Sequence, residues 1–304
     1  MSGRRGTVIT VGTFDGVHLG HRRVLDALCA TACARDALSL VVTFDPHPLR
    51  IVRPASAPPL LTTPHEKIEI LAQSELRRVA FLRFTPALAA FSPRRFVEQI
   101  LLDRFGMCHL VIGYDHGFGR GRSGDVEMLR QIGAELGFAV DVIPPVVADG
   151  EPISSSRIRR ALQAGDVVAA AQRLGRPYAL TGTVVRGAGQ GRKLGFPTAN
   201  LDVGSTEKLI PHEGIYAVRA AMRDRFADGV LHLGPRPTFA GLPPSVELHL
   251  FTVADDLYGD RVRVDFIARI RDIARFESTS ALIRAMEADC EQARELLALP
   301  IPYL

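Results

Sequence analysis

At 304 residues, 47% apolar and 23% charged, the chain is long enough for two domains of the usual roughly 100–200 residues and too apolar to be disordered. Its net charge of +4 is carried almost wholly by arginines, scattered without interleaved aromatics, which suits anionic small substrates and gives no reason to expect a nucleic-acid partner. The start MSGRRGTVITVG has no signal-like apolar core, and no apolar run reaches the ~18 residues of a membrane helix, so no membrane partner and a cytoplasmic location are expected.

The first half alternates strand and helix. Apolar runs at 7–11, 39–44, 78–84, 109–113 and 138–143 predict buried strands, and the stretches 21–36, 65–75, 93–104 and 125–136 predict the helices between them. Ser92-Pro93 supplies an N-cap followed by proline at the first helical position. Cys29 and Cys33 lie four apart in the first helix, a spacing expected of a buried helix face and not of a metal site. The four cysteines form no CxxC pair and no zinc-type cluster, in keeping with a reducing compartment. This alternation predicts a doubly wound parallel sheet covered on both faces, with ligands at the carboxyl ends of the strands.

Two short helices, near 155–164 and 166–174, end at Gly175-Arg176-Pro177, and a domain boundary is expected there, giving domains 1–176 and 177–304. Beyond it, short β-rich segments at 179–186, 214–221, 229–234, 245–253 and 261–271 are split by glycine and proline. They predict a small antiparallel β-barrel, closed by an amphipathic helix at about 279–298 with Leu282, Met286, Ala293 and Leu297 on one stripe.

The densest chemical signal runs from the first strand into the first helix: Gly12-Thr13-Phe14-Asp15-Gly16-Val17-His18-Leu19-Gly20-His21. The free N–H groups and positive dipole end of a helix already favour phosphate, and a glycine lets the backbone approach a nucleotide. There His18 and His21 can donate hydrogen bonds to phosphate oxygens as charge builds on an attacked α-phosphorus. Ile153-Ser154-Ser155-Ser156-Arg157-Ile158-Arg159 adds hydroxyls and a guanidinium suited to the β- and γ-phosphates that leave. The two elements resemble the nucleotidyl transferase superfamily. Residues 119–124 match GxGxxG literally, but Tyr114 to Phe118 separate them from the preceding strand. They are read as a substrate-side loop with Arg120 and Arg122 in reach of phosphate, not as a dinucleotide fingerprint.

In the second half, Arg186-Gly187-Ala188-Gly189-Gln190-Gly191-Arg192-Lys193 precedes Gly195-Phe196-Pro197-Thr198-Ala199-Asn200. A Gly-rich loop offers backbone N–H groups to phosphate. A hydroxyl and an amide two residues apart in an extended segment can share a hard cation that bridges phosphates. Glu247, alternating with His249, is expected to face the barrel mouth as a general base for a substrate hydroxyl.

These runs, together with VVTFDPHP (41–48), GYDHGFGRGRSGD (113–125), LGPRPTF (233–239) and DLYGDRVRVDF (256–266), resemble the prokaryotic bifunctional riboflavin kinase/FMN adenylyltransferase, or FAD synthetase, family over essentially the whole chain. The resemblance implies two Mg²⁺-dependent reactions with ATP: phosphorylation of riboflavin to FMN by the barrel, and adenylation of FMN to FAD by the N-terminal domain. It implies that His18 and His21 stabilise the transferring α-phosphate, while Gly12, Phe14, Gly20, Ser155, Ser156 and Arg159 hold ATP. Asp45, Pro46, His47 and Asp115 then line the flavin side of that site. In the barrel it implies Thr198 and Asn200 as ligands of magnesium, Gly187, Gly195 and Pro197 around ATP, and Glu247 as the base. The chain departs from the commonest family pattern at Thr13 and His232, where asparagine is frequent, and at His116-Gly117, which interrupt an Asp-Phe-x-Phe segment. Two other readings are open to the N-terminal motifs alone: a transferase for another acceptor, such as phosphopantetheine or glycerol phosphate, and a flavin-binding regulator. The attached barrel motifs argue against the first, and the intact phosphate-handling residues against the second.

Overall fold

The computed structural model describes residues 6–119, 124–187, 191, 194–205, 207–223, 225–235, 245–252 and 257–300. Its internal contacts divide the chain into two compact units, Met1–Ser155 and Ser156–Leu304.

In the first unit, five strands pair in parallel in the order β3-β2-β1-β4-β5: β1 (Thr7–Val11), β2 (Leu38–Asp45), β3 (Arg78–Arg83), β4 (Met107–Gly113) and β5 (Ala139–Ile143). Alternate residues of one strand feed opposite cores. Ile9, Val11, Leu40 and Val42 join Phe96, Val97, Leu101, Leu129 and Ile132 on one face. Val8, Val41 and Val111 join Leu25, Leu28 and Leu71 on the other. A sheet buried on both sides must be written in continuous apolar runs, which is why its strands are legible. The direction of winding reverses between β1 and β4, where ligands of such sheets bind.

Helix α1 (Leu19–Ala34) starts two residues before the expected position because His18 caps it. It buries Val24, Leu25, Leu28 and Ala32. Cys33 is exposed and Cys29 only partly covered, correcting the expectation of a buried cysteine face: the inward stripe runs through 24, 28 and 32, one residue, or about 100°, away. Short helices α2 (Pro48–Val52), α3 (Pro64–Leu71) and α4 (Pro86–Ala89) follow β2 and β3. The expected helix 93–104 is not uniform, since α5 (Pro93–Phe96) passes into a π-helical stretch, Val97–Arg104. Helix α6 (Val126–Leu136) is capped by Asp125 and stopped by Gly137 in the left-handed region. Residues 120–123 lie outside the described residues, and with them the reading of Arg120 and Arg122. The ends of that loop are pinned by Gly124 N–H donating to Phe118 O at 3.0 Å. A hairpin of β6 (Val147–Ala148) and β7 (Glu151–Pro152) leads to α7 (Ser155–Gln163).

The second unit holds most of α7, then α8 (Val167–Leu174), a barrel and the last helix. The barrel closes in the order β10-β11-β12-β9-β8-β13, every pairing antiparallel. Its strands are β8 (Tyr178–Val185), β9 (Ala199–Asp202), β10 (Gly214–Ala221), β11 (Phe226–Gly234), β12 (Ser245–Leu250) and β13 (Arg261–Arg271). Tyr216 and Phe266, both fully buried, meet edge to face at 5.1 Å inside it. Helix α9 (Thr279–Ala298), capped by Ser278, lays Cys290, Ala293 and Leu297 against Ile215, Ala217, Val230 and Ile267 on the outside of the barrel wall.

Candidate functional sites

The first site is built on the turn between β1 and α1. Three residues there have positive φ: Phe14 (46°), Gly16 (81°) and Val17 (39°). For the β-branched Val17 this is a strained conformation, which persists only where the surroundings fix it. They do so from several sides. Asp15, 1% exposed, accepts hydrogen bonds from Leu61 N (3.0 Å), Thr62 N (3.1 Å) and the Thr62 hydroxyl (3.3 Å). Gly16 N donates to Thr62 Oγ1 at 3.1 Å, and the Ser155 hydroxyl donates to Asp15 O at 2.9 Å. Lys67, buried on α3, donates from Nζ to Thr13 O at 2.6 Å, and the Thr43 hydroxyl donates to the same oxygen at 3.1 Å. Burial pulls the Lys67 ammonium below the usual lysine range, while the carboxylates of Asp15 and Asp45 oppose the shift.

On this scaffold the two imidazoles stack, ring centres 3.7 Å apart and planes 15° from parallel. His18 is nearly buried and accepts the His21 backbone N–H at Nδ1 (3.3 Å). That bond places the proton of a neutral His18 ring on Nε2. Phe14 backs His21 at 5.0 Å and lies over Gly12, where a Cβ would come within 3.1 Å of its ring. Gly20 is packed as closely: its Cβ would stand 3.1 Å from the His18 ring.

Asp45 is exposed at the end of β2 and begins a cis peptide to Pro46. His47 caps α2, accepting Leu49 N at Nδ1 (3.2 Å). Asp115 is exposed just after β4. These positions and the histidines share the carboxyl edge of neighbouring strands β2, β1 and β4. Ser155 closes the first unit. Ser156, exposed, and Arg159, buried, follow on α7 and fall in the second unit.

The second site lies on the barrel wall. Glu247 pairs across strands with His232 on β11 and Asn200 on β9. Directly opposed residues share a face, and Leu231 and Leu248 on the other face are buried in the barrel interior. Glu247 therefore points outward, toward α9, correcting the expectation that it faces the barrel mouth. Its two oxygens are held by hydroxyls, Ser245 at 2.9 Å and Thr198 at 3.3 Å. Asn200 is brought beside them, and Gly187 makes room for it, since a Cβ there would fall 2.0 Å from the Asn200 side-chain nitrogen. Gly195 turns the preceding loop at φ +88°, and Pro197 O lies 2.9 Å from His249 Nδ1.

Between this wall and α9 lies a cavity of about 160 Å³. Thr198, His232, Glu247 and His249 form its polar side, and Phe196, Ile273, Phe276, Leu282 and Met286 contribute much of its apolar lining. The α9 wall was not foreseen from the sequence. Leu282 and Met286 announce only an amphipathic stripe, and nothing local says that part of it faces a void.

The parallel sheet carries a histidine pair at its carboxyl edge and the closed barrel a carboxylate on its wall, groups suited to the transfer of phosphate esters. The family model described as FAD synthetase matches residues 1–157, and that described as riboflavin kinase matches 174–297. The chain is 36% identical over 300 residues to the bifunctional riboflavin kinase/FMN adenylyltransferase of Escherichia coli strain K12, covering 98% of this chain and 95% of the relative. It is 38% identical over 295 residues to that of Pseudomonas fluorescens, covering 97% and 94%. A solved Streptococcus pneumoniae structure described as a macrolide-efflux protein is 28% identical with a TM-score of 0.86, covering 95% of this chain and 94% of that one. That likeness is one of fold; among the described residues here, no helix is long and apolar enough to cross a membrane. The chain belongs to the bifunctional riboflavin kinase/FMN adenylyltransferase family.

Proposed function

We propose that the barrel phosphorylates riboflavin with ATP and that the parallel-sheet unit transfers AMP from a second ATP to the FMN so formed, giving FAD and pyrophosphate. The observation that carries this reading is the hydroxyl-held Glu247 carboxylate on the wall of a mostly apolar cavity, in a chain whose other unit stacks His18 and His21 at a helix mouth. A mostly apolar cavity with polar groups gathered beside Glu247 fits a flat, largely apolar ring carrying a polyhydroxyl chain.

In the barrel, Glu247 takes the proton of the ribityl hydroxyl as its oxygen attacks the γ-phosphorus and ADP leaves. The backbone around Gly187, Gly195 and Pro197 lies along ATP. Thr198 and Asn200 would hold Mg²⁺: they offer neutral hard oxygens, and the space Gly187 leaves for Asn200 is what such a ligand needs. Held there, the ion would neutralise negative charge on the phosphates of ATP. In the first unit, a phosphate oxygen of FMN attacks the α-phosphorus and the bond to pyrophosphate breaks. His18 and His21 donate to the α-phosphate oxygens, α1 turns its N-terminus to them, and Gly12 and Gly20 keep the approach open. Ser155, Ser156 and Arg159 hold the departing phosphates, and Asp45, Pro46, His47 and Asp115 line the flavin side. On this reading 1–176 carries adenylyl transfer and 177–304 the kinase. Free thiols at all four cysteines suit a cytoplasmic setting.

The two activities should separate. Glu247→Ala is expected to abolish FMN formation and leave conversion of FMN to FAD intact; His21→Ala should do the reverse. Chromatography of flavins after incubation with magnesium and ATP reads both, and loss of both activities in either folded variant would overturn the assignment.

A further inference from the structure

The polar groups of the cavity do not all belong to the catalytic side. At its far wall, the last residue of β13, Arg271, reaches Asp289 on α9 with both arms of its guanidinium: Nε to Oδ1 at 2.7 Å and Nη2 to Oδ2 at 2.6 Å. Both residues line the cavity, beside Ile273, Ala274 and Phe276 of the connector from β13 to α9. The Asp289 side chain is only 8% exposed. Arg271 is fixed further by donating from Nη1 to Asp272 O at 2.9 Å and by lying 5.6 Å from the Phe276 ring centre.

Such a pair is a poor way to gain stability, because removing two charges from water costs about as much as their attraction returns. What it provides is geometry: a planar fork on a carboxylate fixes distance and orientation together. Further along, α9 is held by Ala293 and Leu297 packing on the barrel. At the cavity the helix offers Leu282 and Met286, whose far side is the void itself. The ion pair is the directional tie there.

We infer that the Arg271–Asp289 pair is a positioning device for riboflavin phosphorylation, setting the separation of α9 from the barrel wall and hence the width of the slot that receives the flavin ring. It rests on the reading that this cavity takes riboflavin. Cys290, next to Asp289, also lines the cavity and is buried, so its thiol reports the width of the slot.

The test combines kinetics with thiol labelling of the full chain. Asp289→Asn keeps the volume but loses the charge, and Arg271→Lys keeps the charge but loses the fork. Both are expected to raise the KM for riboflavin, by about tenfold for Asp289→Asn, which is 1.4 kcal/mol of binding, and by less for Arg271→Lys. The kcat and the KM for ATP should stay within about twofold. Iodoacetamide labelling, mapped by peptide, should be slow at Cys290 in the parent protein and slower with riboflavin. It should speed up in both variants, with exposed Cys33 and Cys108 as unchanged references. If riboflavin fails to protect Cys290 in the parent protein, the cavity is not the flavin site. If riboflavin protects it but both variants keep the parent KM and labelling rate, or lose kcat with no change in either, the pair is not a positioning device.

Discussion

The imidazole pair depends on the residues packed around it. Gly20 shows this most simply. Replacing glycine by alanine in a helix ordinarily stabilises it by up to about 1 kcal/mol, so Gly20→Ala is not expected to lower the melting temperature. The added methyl would nevertheless stand 3.1 Å from the His18 ring and push it by a few tenths of an ångström from its place on His21. Conversion of FMN to FAD should fall about tenfold or more while riboflavin phosphorylation is untouched; unchanged FAD formation would show that the stacking is incidental. Asp15 is the opposite case. Asp15→Ala leaves the buried N–H groups of Leu61 and Thr62 without this acceptor, at about 1–3 kcal/mol each, so stability and FAD formation should fall together. A thermal melt alongside the flavin assay distinguishes the two variants. The histidines were legible in the sequence because their meaning is local, a spacing after a strand. The Asp15 clamp was not, since its partners lie 46 and 47 residues away.

At the level of elements, α3 is a buttress for the strained turn. Its start is written locally, with Thr63 and Glu66 forming a reciprocal capping box behind Pro64. Its purpose appears only in three dimensions, where Lys67 reaches Thr13 O. Because burial lowers the folded-state pKa of Lys67, the unfolded chain holds this proton more firmly than the folded one. Stability should therefore rise with pH in the window between that lowered value and the ordinary lysine value near 10.5. Lys67→Met should lose this alkaline gain, read as the difference between the two melting-temperature profiles; parallel profiles would show that the ammonium is not desolvated. Strands of the parallel sheet were foreseen closely because a doubly covered sheet needs unbroken apolar runs, and β10, β13 and α9 begin and end as expected. The π-helical stretch 97–104 was missed because its apolar spacing also satisfies an α-helix. The direction of Glu247 was missed because alternation tells two faces of a strand apart without saying which one is inside the barrel.

For the molecule as a whole, the two reactions are successive, and the product of one is the substrate of the other. A mixture of the His21→Ala and Glu247→Ala proteins should therefore make FAD from riboflavin, with FMN passing through solution. No FAD from the mixture, while each protein retains its single activity, would mean that FMN stays on the chain that made it. The barrel also has an uneven seam. Among the described residues, β9 meets β12 at only two positions, Asn200 with Glu247 and Ala199 with Leu248, whereas β10 and β11 pair at eight. Backbone protection against deuterium uptake should follow that inequality, fastest beside Asn200 and slowest along β10, and nucleotide should slow the fast end most. The least stitched edge of the cylinder would then serve as its hinge, letting the Ala199–Asn200 segment breathe while the β10–β11 wall stays rigid.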